Sequence, residues 1–190
     1  MVTQHRELVG DERVVGDVEA HGSQGTRGGR LDPYAGGVQP HPDEDAAMTR
    51  ALALAVQAAT EGEVPVGAVV TDAAGRVIGE GRNLRETTAD PTAHAEVIAL
   101  RAAAASLGSW NLTGCTLVVT LEPCVMCAGS ALQSHVSRVV FGAWDEKAGA
   151  AGSVHDVLRD RRLPVRAEVV GGIRADEAAE LLQKFFAAKR

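Results

Sequence analysis

The chain has 190 residues and a mass of 19.8 kDa, a size that suits one domain or one domain with a tail. Its apolar content of 45% is enough for a folded core and excludes a chain that is disordered throughout, and no apolar run approaches the roughly 18 residues of a membrane span. Residues 1–45 contain nine acidic residues and four arginines, net −5, so only −1 of the total charge of −6 falls on residues 46–190; this near-neutral body excludes neither an RNA nor a small-molecule partner.

The N-terminal segment differs in composition from the rest of the chain. Residues 1–42 are rich in glycine, proline and charged residues and show no sustained apolar period, which predicts a disordered extension. Its beginning lacks the apolar core of a secretory signal, so we expect a cytoplasmic protein without a membrane partner. The domain is predicted to occupy residues 43–190, and its first helix runs to about Thr60 with Asp43 as the cap.

Apolar runs and turn residues predict the remaining elements. In chain order they are a hairpin of strands at 66–71 and 77–82, a helix at about 93–106, a strand at 116–121, a helix at 124–134, strands at 138–141 and 167–170, and a helix at 176–188 with Asp176 as a candidate cap. Strands that alternate with helices predict an α/β fold in which both faces of the sheet are covered. We therefore expect a three-layer α/β/α sandwich with a mixed five-stranded sheet.

Two short segments at the starts of predicted helices contain the residues whose side chains could bind a metal or transfer protons. The first is Thr-Ala-His-Ala-Glu at 92–96, and the second is Glu-Pro-Cys-Val-Met-Cys at 122–127. Cys124 and Cys127 are one helical turn apart, so both sulfurs can reach one ion, and His94 can supply a third ligand. Two thiolates and one imidazole leave one position of a tetrahedral Zn²⁺ open, which is typical of catalytic rather than structural zinc.

Glu96, two residues after His94, can act on a water at this open position without binding the ion. A carboxylate in that place can take a proton from water and deliver it to a ring nitrogen and a leaving amine, as hydrolytic deamination requires. Each feature alone has another interpretation: the C-x-x-C pair could be a thiol redox pair or part of a structural zinc site, and Glu96 could be a first-turn acid. Their conjunction, with Pro123 before Cys124, favours catalytic zinc.

Other candidates for a metal site are weaker. Cys115 follows a glycine at the start of a predicted strand and is interpreted as a small buried residue. His135 and His155 could in principle complete a structural site, but neither has ligand-like spacing. Residues 138–166 contain six bases and four acids, a pattern compatible with an RNA hairpin but more typical of a solvated face.

The chain also resembles the bacterial tRNA-specific adenosine deaminases of the cytidine/deoxycytidylate deaminase superfamily. The resemblance covers about residues 43–188 and extends well beyond the metal motif, which the whole superfamily shares. The resembling stretches are EVPVGAV at 63–69, VIGEGRN at 77–83, DPTAHAE at 90–96, VTLEPCVMCAG at 119–129, RVVFGA at 138–143 and GAAGS at 149–153.

This resemblance implies a cytidine-deaminase-like homodimer with one Zn²⁺ per subunit that converts adenosine to inosine at the wobble position (34) in a tRNA anticodon stem-loop. It implies that Asn83 contacts the target nucleoside and that Asp145 lies beside the bound anticodon loop. It also implies that one residue of the Phe185–Phe186 pair contacts RNA. Adjacent residues cannot both face one side of a helix, so we expect one of the two in the core and the other available to stack on RNA. Phe186 is the candidate for the RNA contact, although the sequence does not choose between the two.

Three other functions remain open from the sequence. Because the metal motif does not choose the substrate ring, a deaminase of free nucleobases or nucleotides, of cytosine or guanine, is the alternative within the enzymes. The others are a non-catalytic, zinc-stabilised interaction module and a thiol redox protein.

Overall fold

The computed structural model describes residues 41–189, which lie within one compact unit. The predicted disordered extension 1–42 therefore falls outside the described residues, apart from its last two positions. None of the helices in the described part is both long and apolar enough to cross a membrane.

Five helices and five strands are present in this part of the chain, close to the predicted positions. They are α1 (Pro42–Thr60), β1 (Gly67–Thr71), β2 (Val77–Arg82), α2 (Arg85–Thr88), α3 (Ala95–Leu107), β3 (Thr116–Leu121), α4 (Val125–Gln133), β4 (Arg138–Ala143), β5 (Glu168–Gly171) and α5 (Ala175–Ala188). The short helix α2 was not predicted, because four polar residues carry no apolar period.

The predicted caps of the first and last helices are wrong. The cap of α1 is His41, whose backbone N–H donates to the Glu44 carboxylate at 2.8 Å, and Asp43 lies within the first turn. In α5 the capping position is Arg174, and Asp176 lies in the first turn. Acidic residues are favourable both as caps and within the first turn, where they face the positive end of the helix dipole, so composition alone does not separate the two positions.

The strands form one mixed sheet in the order β2-β1-β3-β4-β5. β1 runs antiparallel to both of its neighbours, whereas β3, β4 and β5 are mutually parallel. Helices α3 and α4 pack on one face through alanines such as Ala99 and Ala131. Helices α1 and α5 cover the other face, where Met48 and Ala178 meet Val118 and Val140. The predicted three-layer sandwich with a mixed five-stranded sheet is confirmed.

Glycines in β2 allow α3 to lie directly on the sheet. A Cβ atom at Gly81 would be 2.2 Å from the backbone oxygen of Ala95, and one at Gly79 would be 2.4 Å from that of Ala99. Since real Cβ atoms do not approach backbone so closely, any side chain here would push the helix away. The close approach places the start of α3 beside the loop that follows β3.

Candidate active site

Two helix N-termini meet at one end of the sheet and bring three metal-ligand residues together. His94 is the N-cap residue of α3, and Cys124 is the N-cap residue of α4. Cys127 lies in the first turn of α4 and is fully buried. The Nδ1 atom of His94 is 3.8 Å from Cys124 Sγ and 3.5 Å from Cys127 Sγ, and the three ligand atoms all lie within 4.8 Å of one another.

These separations fit tetrahedral zinc. Zn–S and Zn–N bonds of about 2.3 and 2.05 Å at the tetrahedral angle place sulfur and nitrogen about 3.6 Å apart, and the observed distances bracket this value. In the part of the chain that the structure describes, His94, Cys124 and Cys127 form the single group suited to hold a metal ion. Neither His135 nor His155 belongs to it, and Cys115 is a buried residue, as predicted.

Hydrogen bonds within the cluster distribute its protons unevenly. The Cys127 thiol, and then His94, hydrogen bond to Cys124 and lower the pKa of Cys124 to about 4. The same Cys124 contact, together with burial, raises the pKa of Cys127. The hydrogen bond with Cys124 also raises the pKa of His94. Zinc requires two thiolates and a neutral imidazole, so the Cys127 thiol loses its proton when the ion binds.

Glu96 lies in the first turn of α3 and is 4% exposed. It does not belong to the three-residue ligand group. Burial raises the pKa of its carboxyl group, which therefore exchanges protons closer to neutral pH than an exposed glutamate does. A buried carboxyl group beside three metal-ligand side chains, facing a pocket, can transfer protons to and from a bound molecule.

A cavity of about 180 Å³ opens beside these residues. Its walls contain five of the seven predicted site residues, and Cys127 adjoins it through the ligand cluster. The lining residues are Val64, Val66, Asn83, Arg85, His94, Ala95, Glu96, Leu121, Glu122, Cys124, Asp145 and Ala148. The pocket thus joins apolar walls to a few polar groups, the usual composition of a small-molecule site.

Asn83 follows β2 and is 7% exposed. Its backbone N–H donates to the Val66 oxygen at 3.0 Å, and its side-chain Nδ2 donates to Glu63 Oε2 at 3.3 Å. The side chain also lines the cavity. Asn83 therefore organises its loop and reaches the pocket at the same time.

Asp145 also lines the cavity, but part of its carboxylate is engaged in a turn. Its Oδ1 atom accepts hydrogen bonds from the backbone N–H groups of Lys147 and Ala148, at 2.9 and 3.2 Å. The side chain is half-buried. Both the turn role and the position beside the pocket are thus observed.

The structure does not bring Phe186 to the cavity. This residue lies on α5 with 49% of its surface exposed, and it is absent from the pocket lining. Phe185 is half-buried, with the ammonium of Lys189 4.2 Å from its ring centre. The more exposed member of the pair is therefore Phe186, and its contact with RNA stays a prediction.

The sequence analysis missed two buried glutamates beside the pocket, Glu63 and Glu122. The Oε1 atom of Glu122 accepts hydrogen bonds from the backbone N–H groups of Ala151 and Ser153, at 2.9 and 3.1 Å, and its Oε2 accepts one from Asp145 at 3.0 Å. Glu122 thus holds the 145–153 loop against the cysteine segment. An acidic residue directly after an apolar strand was the available signal, because such a carboxylate loses water and needs other donors.

Half of the basic side chains in the segment 138–166 form ion pairs with acidic residues. Arg138 pairs with Glu44 and Glu168, Arg159 pairs with Asp156, and Arg162 pairs with Asp160. Three of the six bases in the segment are therefore matched locally by acids. Charge in this segment alone gives weak support to an RNA surface.

Comparison with known proteins places these features in one family. The sequence model of the cytidine and deoxycytidylate deaminase zinc-binding region matches residues 42–143. A tRNA-specific adenosine deaminase of Haemophilus influenzae is 48% identical over 143 residues, which are 75% of this chain and 83% of that protein. A tRNA(Ile)-lysidine synthase of Deinococcus deserti is 55% identical over 148 residues, but these are 78% of this chain and only 28% of that protein.

The fold comparison agrees. A solved structure from a study of A-to-I editing by tRNA:A34 deaminases at the wobble position of transfer RNA matches with a TM-score of 0.69 and 38% identity, covering 72% of this chain and 99% of that one. The chain spans about a quarter of the length of the Deinococcus relatives that it matches, 28% in one and 25% in the other.

Proposed function

Since the chain belongs to the zinc-binding cytidine and deoxycytidylate deaminase family and, within it, to the tRNA-specific adenosine deaminases, we propose that it hydrolyses adenosine to inosine at wobble position 34 of a tRNA anticodon. The reaction consumes one water and releases one ammonia. The pocket that joins the three-donor zinc cluster to the buried carboxyl group of Glu96 supports this activity most directly.

His94, Cys124 and Cys127 hold one zinc ion per subunit. Zinc in such a site is a Lewis acid that lowers the pKa of water from about 16 towards roughly 7. The two negative thiolates and the neutral imidazole cancel the 2+ charge of zinc, so the site as a whole is neutral. Its charge therefore does not oppose the binding of a neutral purine ring.

Glu96 is the catalytic acid and base. Its carboxylate accepts a proton from the water that attacks C6 of the purine and delivers this proton to N1. The same group then transfers the second proton to the exocyclic nitrogen, which leaves as ammonia, and the C6–N bond breaks as the C6 carbonyl forms. The burial of Glu96 keeps bulk water from competing for these protons.

Asn83 and Asp145 bind the target nucleotide from the pocket walls. The bases of an anticodon loop are unpaired, so extruding one of them into a pocket costs only a few kcal/mol, far less than opening a duplex. The exposed ring of Phe186 is available to stack on a neighbouring part of the loop. The chain acts as a homodimer in the cytoplasm, where its tRNA substrate is found.

The test is to incubate the purified, zinc-loaded chain with an anticodon stem-loop that carries adenosine at position 34, and to measure inosine and ammonia. Glu96→Gln is expected to retain zinc and fold but to lose inosine formation by at least roughly 1,000-fold. Glu180→Gln, an exposed side chain on α5 paired with Lys184, is the matched control and retains activity.

The same assay separates the other functions. Deamination confined to free cytosine, guanine or adenosine would remove the RNA substrate in favour of the free-base alternative. A zinc-stabilised interaction module predicts no turnover and no effect of Glu96→Gln. A thiol redox protein predicts disulfide exchange that does not depend on zinc or on His94.

A further inference from the structure

Glu63 is a fully buried carboxylate that pairs with no cation among the described residues and is held by hydrogen-bond donors. It has 0% exposed surface. Its Oε1 atom accepts the backbone N–H of Thr87 at 2.6 Å, and its Oε2 accepts the N–H of Glu86 and the Nδ2 of Asn83, both at 3.3 Å. Burial acts to raise the pKa of Glu63, but hydrogen bonds from the backbone and side chain of Thr87 and from the N–H of Glu86, together with the positive charge of Arg85, lower it. The ionised carboxylate only accepts hydrogen bonds.

An acceptor-only neighbour determines which way the Asn83 amide faces. Only the NH₂ group of Asn83 can donate to Glu63, so the carbonyl atom Oδ1 is directed elsewhere. Among the described residues, every fully buried side-chain nitrogen or oxygen has a hydrogen-bond partner. Oδ1 of Asn83 has no such partner among these residues, so this atom keeps some exposed surface, and the cavity is the open space that Asn83 lines.

We propose that Glu63 is a positioning residue that fixes the Asn83 amide with Oδ1 towards the substrate. The proposal rests on the deaminase function proposed above. With the amide fixed, the pocket offers an acceptor at this point. A nucleoside that presents an amino group or a sugar hydroxyl there gains a hydrogen bond, whereas one that presents a ring nitrogen or carbonyl oxygen leaves two acceptors facing each other. Glu63 thereby contributes to substrate specificity without touching the substrate.

A purely structural role would be to anchor the loop that contains α2, because Glu63 also holds the N–H groups of Glu86 and Thr87. The two roles predict different couplings. If Glu63 acts through Asn83, its substitution has little further effect once the amide is absent. If it only anchors the loop, the effects of the two substitutions multiply.

The experiment is a double-mutant cycle with Glu63→Gln and Asn83→Ala in the zinc-loaded full chain, measuring kcat and KM on the A34 stem-loop. Glutamine has the size of glutamate but can also donate, so it no longer fixes the amide. We expect each single variant to lower kcat/KM by roughly 10- to 100-fold, with zinc content unchanged. The kcat/KM of the double variant should lie within about threefold of that of the less active single variant. Independent, multiplying losses would overturn the proposal.

Glu44→Gln is the control for loss of a buried carboxylate. Glu44 is 6% exposed, pairs with Arg138 and is absent from the pocket lining. This variant is expected to lower thermal stability while leaving kcat/KM on the stem-loop within about twofold of the wild type. A loss as large as that of Glu63→Gln would show that general destabilisation, not amide orientation, reduces activity.

Side-chain amide NMR gives a second readout that requires no turnover. In the wild type one Asn83 Nδ2 hydrogen should resonate clearly downfield of the other, because a carboxylate binds it, and Glu63→Gln should reduce this difference. A wild-type amide with the shifts of a solvated asparagine overturns the proposal, even where the variant fails to fold. Absence of inosine with the wild type would instead refute the proposed function, and the NMR result would still decide whether Glu63 orients the amide.

Discussion

The close contact between α3 and β2 makes Gly81→Ala a sharp test of how the fold builds the site. The new Cβ atom would be 2.2 Å from the Ala95 oxygen and 2.6 Å from the Ala99 nitrogen, both backbone atoms. The helix must therefore move by about 1 Å, which costs about 3 kcal/mol by analogy with overpacked cores. For a domain of this size each kcal/mol lowers Tm by about 2–4 °C, so we expect a fall of about 6–12 °C.

The same displacement should reach the metal site, because α3 begins directly after the ligand His94. We expect Gly81→Ala to weaken zinc binding by roughly 10- to 100-fold, as changes that misplace a ligand do. Gly129→Ala in α4 is the matched control, because its Cβ would have no neighbour within 4 Å and alanine favours a helix by about 1 kcal/mol. Circular dichroism melting and zinc titration measure both variants. A Gly81→Ala protein that melts within about 2 °C of the wild type would refute the reasoning.

Three further predictions concern other contacts. Glu122→Gln turns a donor towards the backbone N–H groups of the 145–153 loop and should lower the free energy of unfolding by about 2 kcal/mol in urea titrations; an unchanged midpoint would contradict the anchoring role. Arg138→Met leaves Glu44 buried without a cation and should cost about 3 kcal/mol, part of which the added change Glu44→Gln restores in a double-mutant cycle; full additivity would show that the pair is not coupled. The hydrogen bond from Arg162 lowers the pKa of Asp160 to about 2. The stabilisation from this pair is therefore complete above about pH 4 and is lost as the pH falls through 2. Carboxyl NMR titration should show this midpoint for Asp160, and Arg162→Ala should return the pKa to the ordinary range for aspartate.

The sequence predicted the strands better than the helix ends. The strand at 116–121 was predicted with the bounds it has in the structure, because a β-branched apolar run between turns has few other stable conformations. The helices α3 and α4, which begin at the candidate site, start one or two residues later than predicted, so His94 and Cys124 lie at the N-cap positions. With extended backbone at both positions, the ligand atoms of the two side chains lie 3.8 Å apart, an arrangement that apolar periodicity does not reveal.

The metal ligands and the chemistry expected of them follow from local spacing, whereas the walls of the pocket do not. Cys124 and Cys127 are one turn apart in any helix, so their common ion could be inferred without a fold. Phe186 shows the opposite case: the resemblance implied an RNA contact for one residue of the Phe185–Phe186 pair, yet nothing in the local sequence gives the distance of Phe186 from the pocket. In the structure it lies on α5, outside the cavity lining.

By itself the sequence predicted three metal ligands, a proton-transferring role for Glu96 and the alternation of strands and helices, because these predictions depend on short motifs and local apolar patterns. Only the tertiary structure decided that Glu63 and Glu122 are the acceptors that hold the pocket loops. A buried carboxylate is stable only where distant backbone and side-chain donors converge on it, and that convergence arises when the sheet brings separate loops to one edge.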